Sequence, residues 1–326
     1  MEKHSLDECL PVVAHADGAT VTVVQRAQQY AGESRAANTR RAYKADWRDF
    51  ESWCMERSRG AIPASSETVA LYITSLADHG LRVSTIERRL ATISQAHQLA
   101  GHGSPTKDAA VREVLKGIRR VRGCAPSRKK AISVAELRGL VATCDASPKG
   151  RRDRALLLVG FLGGFRRSEL VALERDDIQI EDEGLRIRIR KSKTDQDSEG
   201  REVGVPVGNR AETCPVLALT AWLQTAGSSE GPVFQSLYRG GRPTGRGLSG
   251  NAVACLIKER AMQAGLDPEL LSGHSLRSGF CTSAAKAGAS EREIARSTGH
   301  RSLRILRTYI QAGTVFSENA AKRIQL

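Results

Sequence analysis

From about residue 21 to Arg122, apolar side chains recur at three- and four-residue steps between charged ones, the period of helices that bury one stripe. Asn38 is predicted to cap a helix that carries Tyr43, Trp47, Phe50 and Trp53 on one face. Ser65 or Ser66 opens a second, with Val69, Tyr72, Ile73 and Leu76, ending near Gly80. Ser84 opens a third, with Ile86, Leu90, Ile93 and Leu99, and Pro105 suits the first turn of a fourth, with Val111, Val114, Leu115 and Ile118 inward. Ser133 caps the first helix of a second region, and a helix from about Lys149 to Gly164 presents a leucine-rich face. After Leu173 the period falls to two: Leu185-Arg186-Ile187-Arg188-Ile189-Arg190 reads as a strand with one apolar and one cationic face, and Val203, Val205 and Val207 continue as its neighbour. Helices return at about Val216 to Thr225, Ser249 to Ala264, Ser275 to Ala287 and Ser290 to Thr298. The predicted architecture is mainly α, with a small antiparallel β-sheet in the C-terminal domain.

The breaks in these patterns divide the chain. Residues 1–20 lack periodicity and read as a loose tail, 21–122 as a helical domain, 123–132 as a basic linker, and 133–326 as a second domain with a C-terminal tail. Between Arg112 and Lys130 stand eight basic residues and one acid, a cationic hinge suited to a clamp closing around a duplex, or to a solvated linker.

Charge narrows the partner. Fifty Lys and Arg against 36 Asp and Glu give a formal net charge of +14, which favours a polyanion, with double-stranded DNA first. Seven scattered cysteines without a Cys-x-x-Cys pair read as free thiols in a reducing compartment. The first residues lack the apolar core of a signal peptide, and the most apolar run, Ala155 to Phe165, is too short to cross a bilayer, so no membrane and a cytoplasmic location are expected. Aromatic residues make up 4% of the chain, and those of the first helix are more simply core than an RNA-stacking platform.

Four segments carry candidate chemistry. Ser290-Glu291-Arg292-Glu293 is a capping box and Gly299 a helix-terminating residue, which puts His300 on the turn beyond a helix end and Tyr309 about two turns into the next helix. His274 and Arg277 stand three apart at a helix start, where partial positive charge suits a phosphate. Arg166 follows Gly163-Gly164-Phe165 at a break between helices, a fixed donor fork for two oxygens of one phosphate. Lys193 lies in the polar turn between the two strands, where it can deliver an ammonium to a leaving oxygen. Each segment alone also fits an ordinary surface or core role.

Together, Gly164-Phe165-Arg166-Arg167-Ser168-Glu169-Leu170, Lys193, His274-Ser275-Leu276-Arg277, Gly299-His300 and Tyr309 resemble the active-site series of the tyrosine recombinases, the phage integrase family. The resemblance covers the chain from about Ser133 onward, and the helical domain resembles the family's core-binding domain more loosely. Two departures stand out: Arg167 fills a variable position, and Ser297-Thr298 stand where more apolar residues often precede Gly-His.

The resemblance implies a two-domain DNA clamp that cleaves and rejoins DNA through a 3′-phosphotyrosyl intermediate, with no metal, ATP or other cofactor. It casts Tyr309 as nucleophile, Arg166, Arg277 and His300 as stabilisers of phosphate charge, Lys193 as acid for the leaving oxygen, His274 as proton carrier and Glu169 as a brace. It also implies a homo-oligomer, a tetramer on DNA, joined by exchange of the C-terminal tail, in a bacterial, phage or plasmid setting. Arg40, Arg41, Lys44, Arg88, Arg89, Arg119, Arg120, Arg122, Arg128, Lys129 and Lys130 are candidates to face the duplex. Relaxation of DNA in the manner of a type IB topoisomerase, and a non-cleaving DNA-binding regulator, are the alternatives.

Overall fold

The computed structural model describes residues 26, 37–123, 129–190, 200–227, 229–300, 302–314 and 324. The expected tail at 1–20 lies outside the described residues. The chain divides into two units, Met1–Ser127 and Arg128–Leu326.

The first unit is helical throughout its described part: α1 (Ala37–Glu56), α2 (Ser66–Asp78), α3 (Val83–Leu99) and α4 (Ala109–Arg122). The apolar stripes fold inward as their spacing requires. Trp47, Phe50, Val69, Tyr72, Ile73, Ile86 and Ile93 form one buried cluster, with Phe50 edge-on to Tyr72 at 4.9 Å. Three starts differ from expectation. The described part of α1 already begins at Ala37, ahead of Asn38; α3 begins at Val83 after Arg82, with no side-chain cap; and Pro105 heads a short 3₁₀ turn while Asp108 caps α4. Ser65 caps α2 as its sequence suggests, accepting from the amide of Thr68.

The second unit wraps helices around small sheets. Its described helices are α5 (Val134–Ala142), α6 (Pro148–Leu162), α7 (Arg167–Val171), α8 (Pro215–Ala226), α9 (Gly250–Gln263), α10 (Ser275–Lys286), α11 (Glu291–Thr298) and α12 (Leu303–Thr314). Strands β1 (Ile178–Glu181), β2 (Gly184–Ile189) and β3 (Arg201–Pro206) form an antiparallel sheet in that order, and β4 (Gln235–Leu237) pairs with β5 (Pro243–Gly247). The β2–β3 register sets Leu185 opposite Val205 and Ile187 opposite Val203, so the apolar face of the sheet joins the core around α6. Ser133 and Glu136 close the capping box of α5, and Ile132 before it is buried, its amide bonded to the carbonyl of Ser275.

Within that core Asp153 is fully buried between two arginines. Arg152 donates to one carboxylate oxygen at 3.0 and 2.8 Å, and Arg260 to the other at 3.0 and 2.7 Å. No described helix is long and apolar enough to cross a membrane.

Candidate active site

Three structural breaks and one helix deliver the candidate side chains to one place. The chain leaves α6 through Gly163 and Gly164, and the left-handed conformation of Gly164 (φ +57°) turns its carbonyl toward α10. A Cβ at Gly164 would lie 2.8 Å from both Phe280 and Thr298, so only glycine fits. Its carbonyl accepts from Nη1 of Arg277 at 2.7 Å, which fixes an arginine that is 1% exposed.

Two residues later Arg166 stands at the start of α7. Its Nη1 donates to Oε1 of Glu169 at 2.6 Å, its amide to Oε2 at 2.9 Å, and its Nη2 to the Gly299 carbonyl at 3.2 Å. The buried carboxylate also accepts from Nη2 of Arg201 at 2.9 Å, while Arg201 Nη1 bonds the Ser297 carbonyl at 2.6 Å. Glu169 thus braces two guanidiniums, of which Arg201 is tied to the last turn of α11 and Arg166 to the residue that ends it. Arg201 is a site residue that the motif-based reading missed. Its signal was present: in the alternation of β3 it falls on the same side as the buried Val203 and Val205, an arginine on an apolar face.

Gly299 ends α11 in the left-handed conformation (φ +64°), and His300 follows on the turn. The imidazole receives Nη2 of Arg277, 3.3 Å from Nδ1 and 3.2 Å from Nε2, and Nδ1 lies 2.7 Å from Oγ1 of Thr298. His274 precedes α10, and its Nε2 is 2.8 Å from the hydroxyl of Tyr309 on α12. α12 is held against α10 and α11 by buried Leu306, which packs with Cys281, Ala285 and Ile294, with Tyr309 and Ile310 at the margin of that cluster. The rings of His274 and His300 lie 6.2 and 6.4 Å from that of Tyr309.

Arg166, Glu169, His274, Arg277, His300 and Tyr309 therefore meet in one cluster. Lys193, in the strand-to-strand segment 191–199, lies outside the described residues. Three guanidiniums, of Arg166, Arg201 and Arg277, face one carboxylate, Glu169, which leaves a local excess of positive charge. Burial, with Arg277 and Arg166 beside them, lowers both histidines from the ordinary range, His300 to about 3. Burial and then the charge of Arg166 pull Arg277 down to about 10, still a cation at neutral pH. Two neutral imidazoles among fixed cations form a site built for an anion.

The other basic candidates are placed more variously. Arg40, Arg41, Lys44, Arg120 and Arg122 are exposed on α1 and α4. Arg88 pairs with Asp46 at 3.1 Å, Arg119 with Glu87 at 2.6 Å, and Arg89 is engaged by Asp49 and by the Tyr72 hydroxyl, the latter at 2.7 Å. Lys129 donates to the Glu269 carbonyl, Lys130 pairs with Glu136 at 2.5 Å, and Arg128 lies outside the described residues.

Residues 130–314 match the profile of the phage integrase family, and residues 29–102 match that of the phage integrase N-terminal SAM-like domain. The chain belongs to the phage integrase family. This integrase is 38% identical over 303 residues to an integrase/recombinase xerD homolog of Selenomonas ruminantium, covering 92% of this chain and 89% of that protein. It is 26% identical over 284 residues to the recombinase cre of Escherichia phage P1, covering 81% of each. Its fold is similar to that of XerH site-specific recombinase bound to palindromic difH substrate, with a TM-score of 0.60 and 19% identity over 79% of this chain and 72% of that one. The integrase is thus an enzyme of the tyrosine recombinase type, with the mainly helical, small-sheet architecture that its periodicity predicts.

Proposed function

We propose that this integrase is a site-specific DNA recombinase that cuts and rejoins strands through Tyr309. The observation that carries the reading is the 2.8 Å hydrogen bond between the Tyr309 hydroxyl and Nε2 of His274, beside the cations of Arg277 and Arg166. The phenolic oxygen attacks a DNA phosphorus, its proton passing to neutral His274, and the bond from phosphorus to the 5′-oxygen breaks. The products are a 3′-phosphotyrosyl ester and a free 5′-hydroxyl, with Lys193 giving the leaving oxygen its proton. The ester keeps the energy of the broken bond, so a second 5′-hydroxyl can reverse the step on a new partner without ATP.

Arg166 and Arg277 neutralise charge on the non-bridging oxygens as five-coordinate phosphorus forms, and His300 adds a further hydrogen bond. Fixed cations fill the role that a metal ion has in other phosphoryl-transfer enzymes. Exposed Arg40, Arg41, Lys44, Arg120 and Arg122 add contacts to the DNA backbone, and affinity therefore falls steeply with salt. Arg88, Arg89 and Arg119 of the first unit and Lys129 and Lys130 of the second, each paired within its own unit, are further candidates for phosphate contacts, as is Arg128. The active assembly is a tetramer on DNA, a reading supported by a similar fold, at 15% identity and a TM-score of 0.58, in a lambda integrase tetramer bound to a Holliday junction. Exchange of the segment 315–326 between subunits, which apart from Ile324 lies outside the described residues, completes that assembly. The domains assigned to these tasks are a core-binding region at 21–122 and a catalytic region at 133–326, joined by 123–132, in a cytoplasmic enzyme.

The test is covalent trapping on nicked duplex fragments of the source genome. The wild-type chain should form a protease-sensitive adduct at defined sites, and Tyr309→Phe should bind the same fragments without forming it. An adduct that persists in the phenylalanine variant would remove Tyr309 as the nucleophile. Exchange of flanks between two mapped sites separates recombination from relaxation.

A further inference from the structure

The hydroxyl of Thr298 sits between two acceptor-capable partners. Its Oγ1 is 2.6 Å from the carbonyl oxygen of Ile294 and 2.7 Å from Nδ1 of His300. Contacts this short each need a hydrogen between the heavy atoms. The carbonyl has none to give, and the threonine has one. The Thr298 hydroxyl therefore donates to Ile294, and Nδ1 of His300 carries the hydrogen that Oγ1 accepts. In a neutral imidazole this leaves Nε2 with a lone pair and no proton, while Nη2 of Arg277 stands beside the ring, 3.2 Å from Nε2 and 3.3 Å from Nδ1. Thr298 is fully buried, so no water competes for these bonds, and its methyl is turned toward Gly164 at the base of the site.

We propose that Thr298 is a positioning residue that locks His300 in the Nδ1–H tautomer, with Nε2 as the ring atom that meets the substrate phosphate. This rests on the recombinase reading for its consequence but not for its geometry. An apolar side chain at 298, of the kind the family often carries before Gly-His, could not impose it.

The lock defines what His300 can do. In the free enzyme its Nε2 carries a lone pair beside Nη2 of Arg277, whose Nη1 is held by the Gly164 carbonyl. It can donate to a phosphate oxygen only after binding a proton at Nε2, with Nδ1–H still on Thr298, and it then adds a positive charge and not merely a neutral hydrogen bond. The charged groups facing the ring oppose that proton in the free state, Arg277 and His274 from α10 and its start, Arg166 from the start of α7 and Arg201 from β3, while the phenol of Tyr309 faces it from α12 with ring centres 6.4 Å apart. A phosphate anion among them offsets their repulsion and makes the proton welcome. Cleavage by the wild-type enzyme should therefore weaken on the alkaline side as Nε2 loses it.

The experiment compares the full chain with Thr298→Ser, Thr298→Val and Thr298→Ala. Nitrogen-15 spectra of the histidine rings, with His300 assigned from a His300→Gln variant, should show protonated Nδ1 and unprotonated Nε2 in the wild type and in T298S. In T298A and T298V, Nε2 should gain protonated character. A wild-type ring protonated at Nε2, or ring nitrogens unmoved in both apolar variants, would overturn the proposal. On a mapped nicked substrate, T298A should cleave at least about tenfold more slowly, with its alkaline limb displaced, and T298S should restore both. Wild-type rates and pH profile in T298A would also reject the positioning role. The spectra need no DNA, so a wild type that forms no adduct would defeat the recombinase reading while the ring nitrogens still decide the role of Thr298 as a tautomer lock.

Discussion

Arg277 is anchored through the carbonyl of Gly164, 113 residues earlier in the chain, by a 2.7 Å bond from Nη1. The bond spends one arm of the guanidinium on backbone and leaves the other beside His300. It exists because Gly164 is left-handed and lacks a Cβ. Gly164→Ala should lower stability by about 1–2 kcal/mol from the backbone conformation alone, with further loss from the collisions with Phe280 and Thr298. Urea unfolding checks the first effect, and adduct formation under folding conditions checks the second, which should fall further than the folded fraction does. A variant as stable and active as the wild type would mean that this carbonyl does not position Arg277.

Glu169 accepts from Arg166 and Arg201 at once, and its side chain is wholly removed from solvent. Replacing it with alanine leaves two part-buried cations without their counter-charge, a loss of up to about 3 kcal/mol, the lower end for broken buried pairs. Glu169→Gln keeps the shape and part of the hydrogen bonding, so it should fold. Its expected defect is in the cleavage step, with Arg166 less firmly aimed and duplex affinity nearly unchanged. Single-turnover cleavage and equilibrium DNA binding on the same preparation separate the two. Equal losses in both would make Glu169 a general stabiliser and not a brace of the site.

Helical stripes such as Val69, Tyr72, Ile73 and Leu76, and the alternation of β2, are legible in the sequence because each depends on neighbours a few residues away. β1 escapes that reading: it is four residues long, its exposure does not alternate, and acids flank it. β4 and β5 escape because Pro243-Thr244-Gly245-Arg246-Gly247 carries no apolar period. The site divides in the same way. Gly299 and the capping box of α11 announce His300 locally, whereas the contact of Tyr309 with His274 spans 35 residues and depends on how α12 packs on α10. Arg201 could be suspected from its place in the alternation of β3, but its partners, Glu169 and Ser297, come from elements 32 and 96 residues away.

Asp153 offers a control remote from the chemistry. Arg152 and Arg260 both depend on it, and neither touches the candidate site. Asp153→Ala should destabilise the second unit by about 3–5 kcal/mol, since two buried guanidiniums lose a shared anion. Fluorescence of Trp222, buried in the same unit, follows that transition against the signals of Trp47 and Trp53 in the first. The surviving folded fraction should form the phosphotyrosyl adduct at the wild-type rate per molecule. A slowed rate in folded protein would tie this ion cluster to the site after all.

Three histidines are shifted toward the neutral ring, buried His97 by desolvation and half-buried His300 and exposed His274 by desolvation together with the nearby arginines, and their effect on stability has one sign. His97 accepts from the amide of Ala64 at Nε2 (2.9 Å) and donates from Nδ1 to the Ile93 carbonyl (2.8 Å), so a second ring proton would break the first bond. His97, His274 and His300 all lie below the ordinary histidine value, His300 at about 3. Between the ordinary value and the lowered one, the unfolded chain binds more protons than the folded one. Stability from these groups is therefore complete above about pH 6.5 and is lost as the pH falls toward each folded value, by at most about 1.4 kcal/mol per pH unit for one group. Urea midpoints should be nearly level above about pH 7 and fall from there to about pH 5.5, above the range where most carboxylates titrate. His300→Gln should flatten the slope for the second unit and leave that of the first, which contains His97, unchanged. A midpoint that is constant or rises as the pH falls from about 7 to 5.5 would show that the folded chain does not favour the neutral rings.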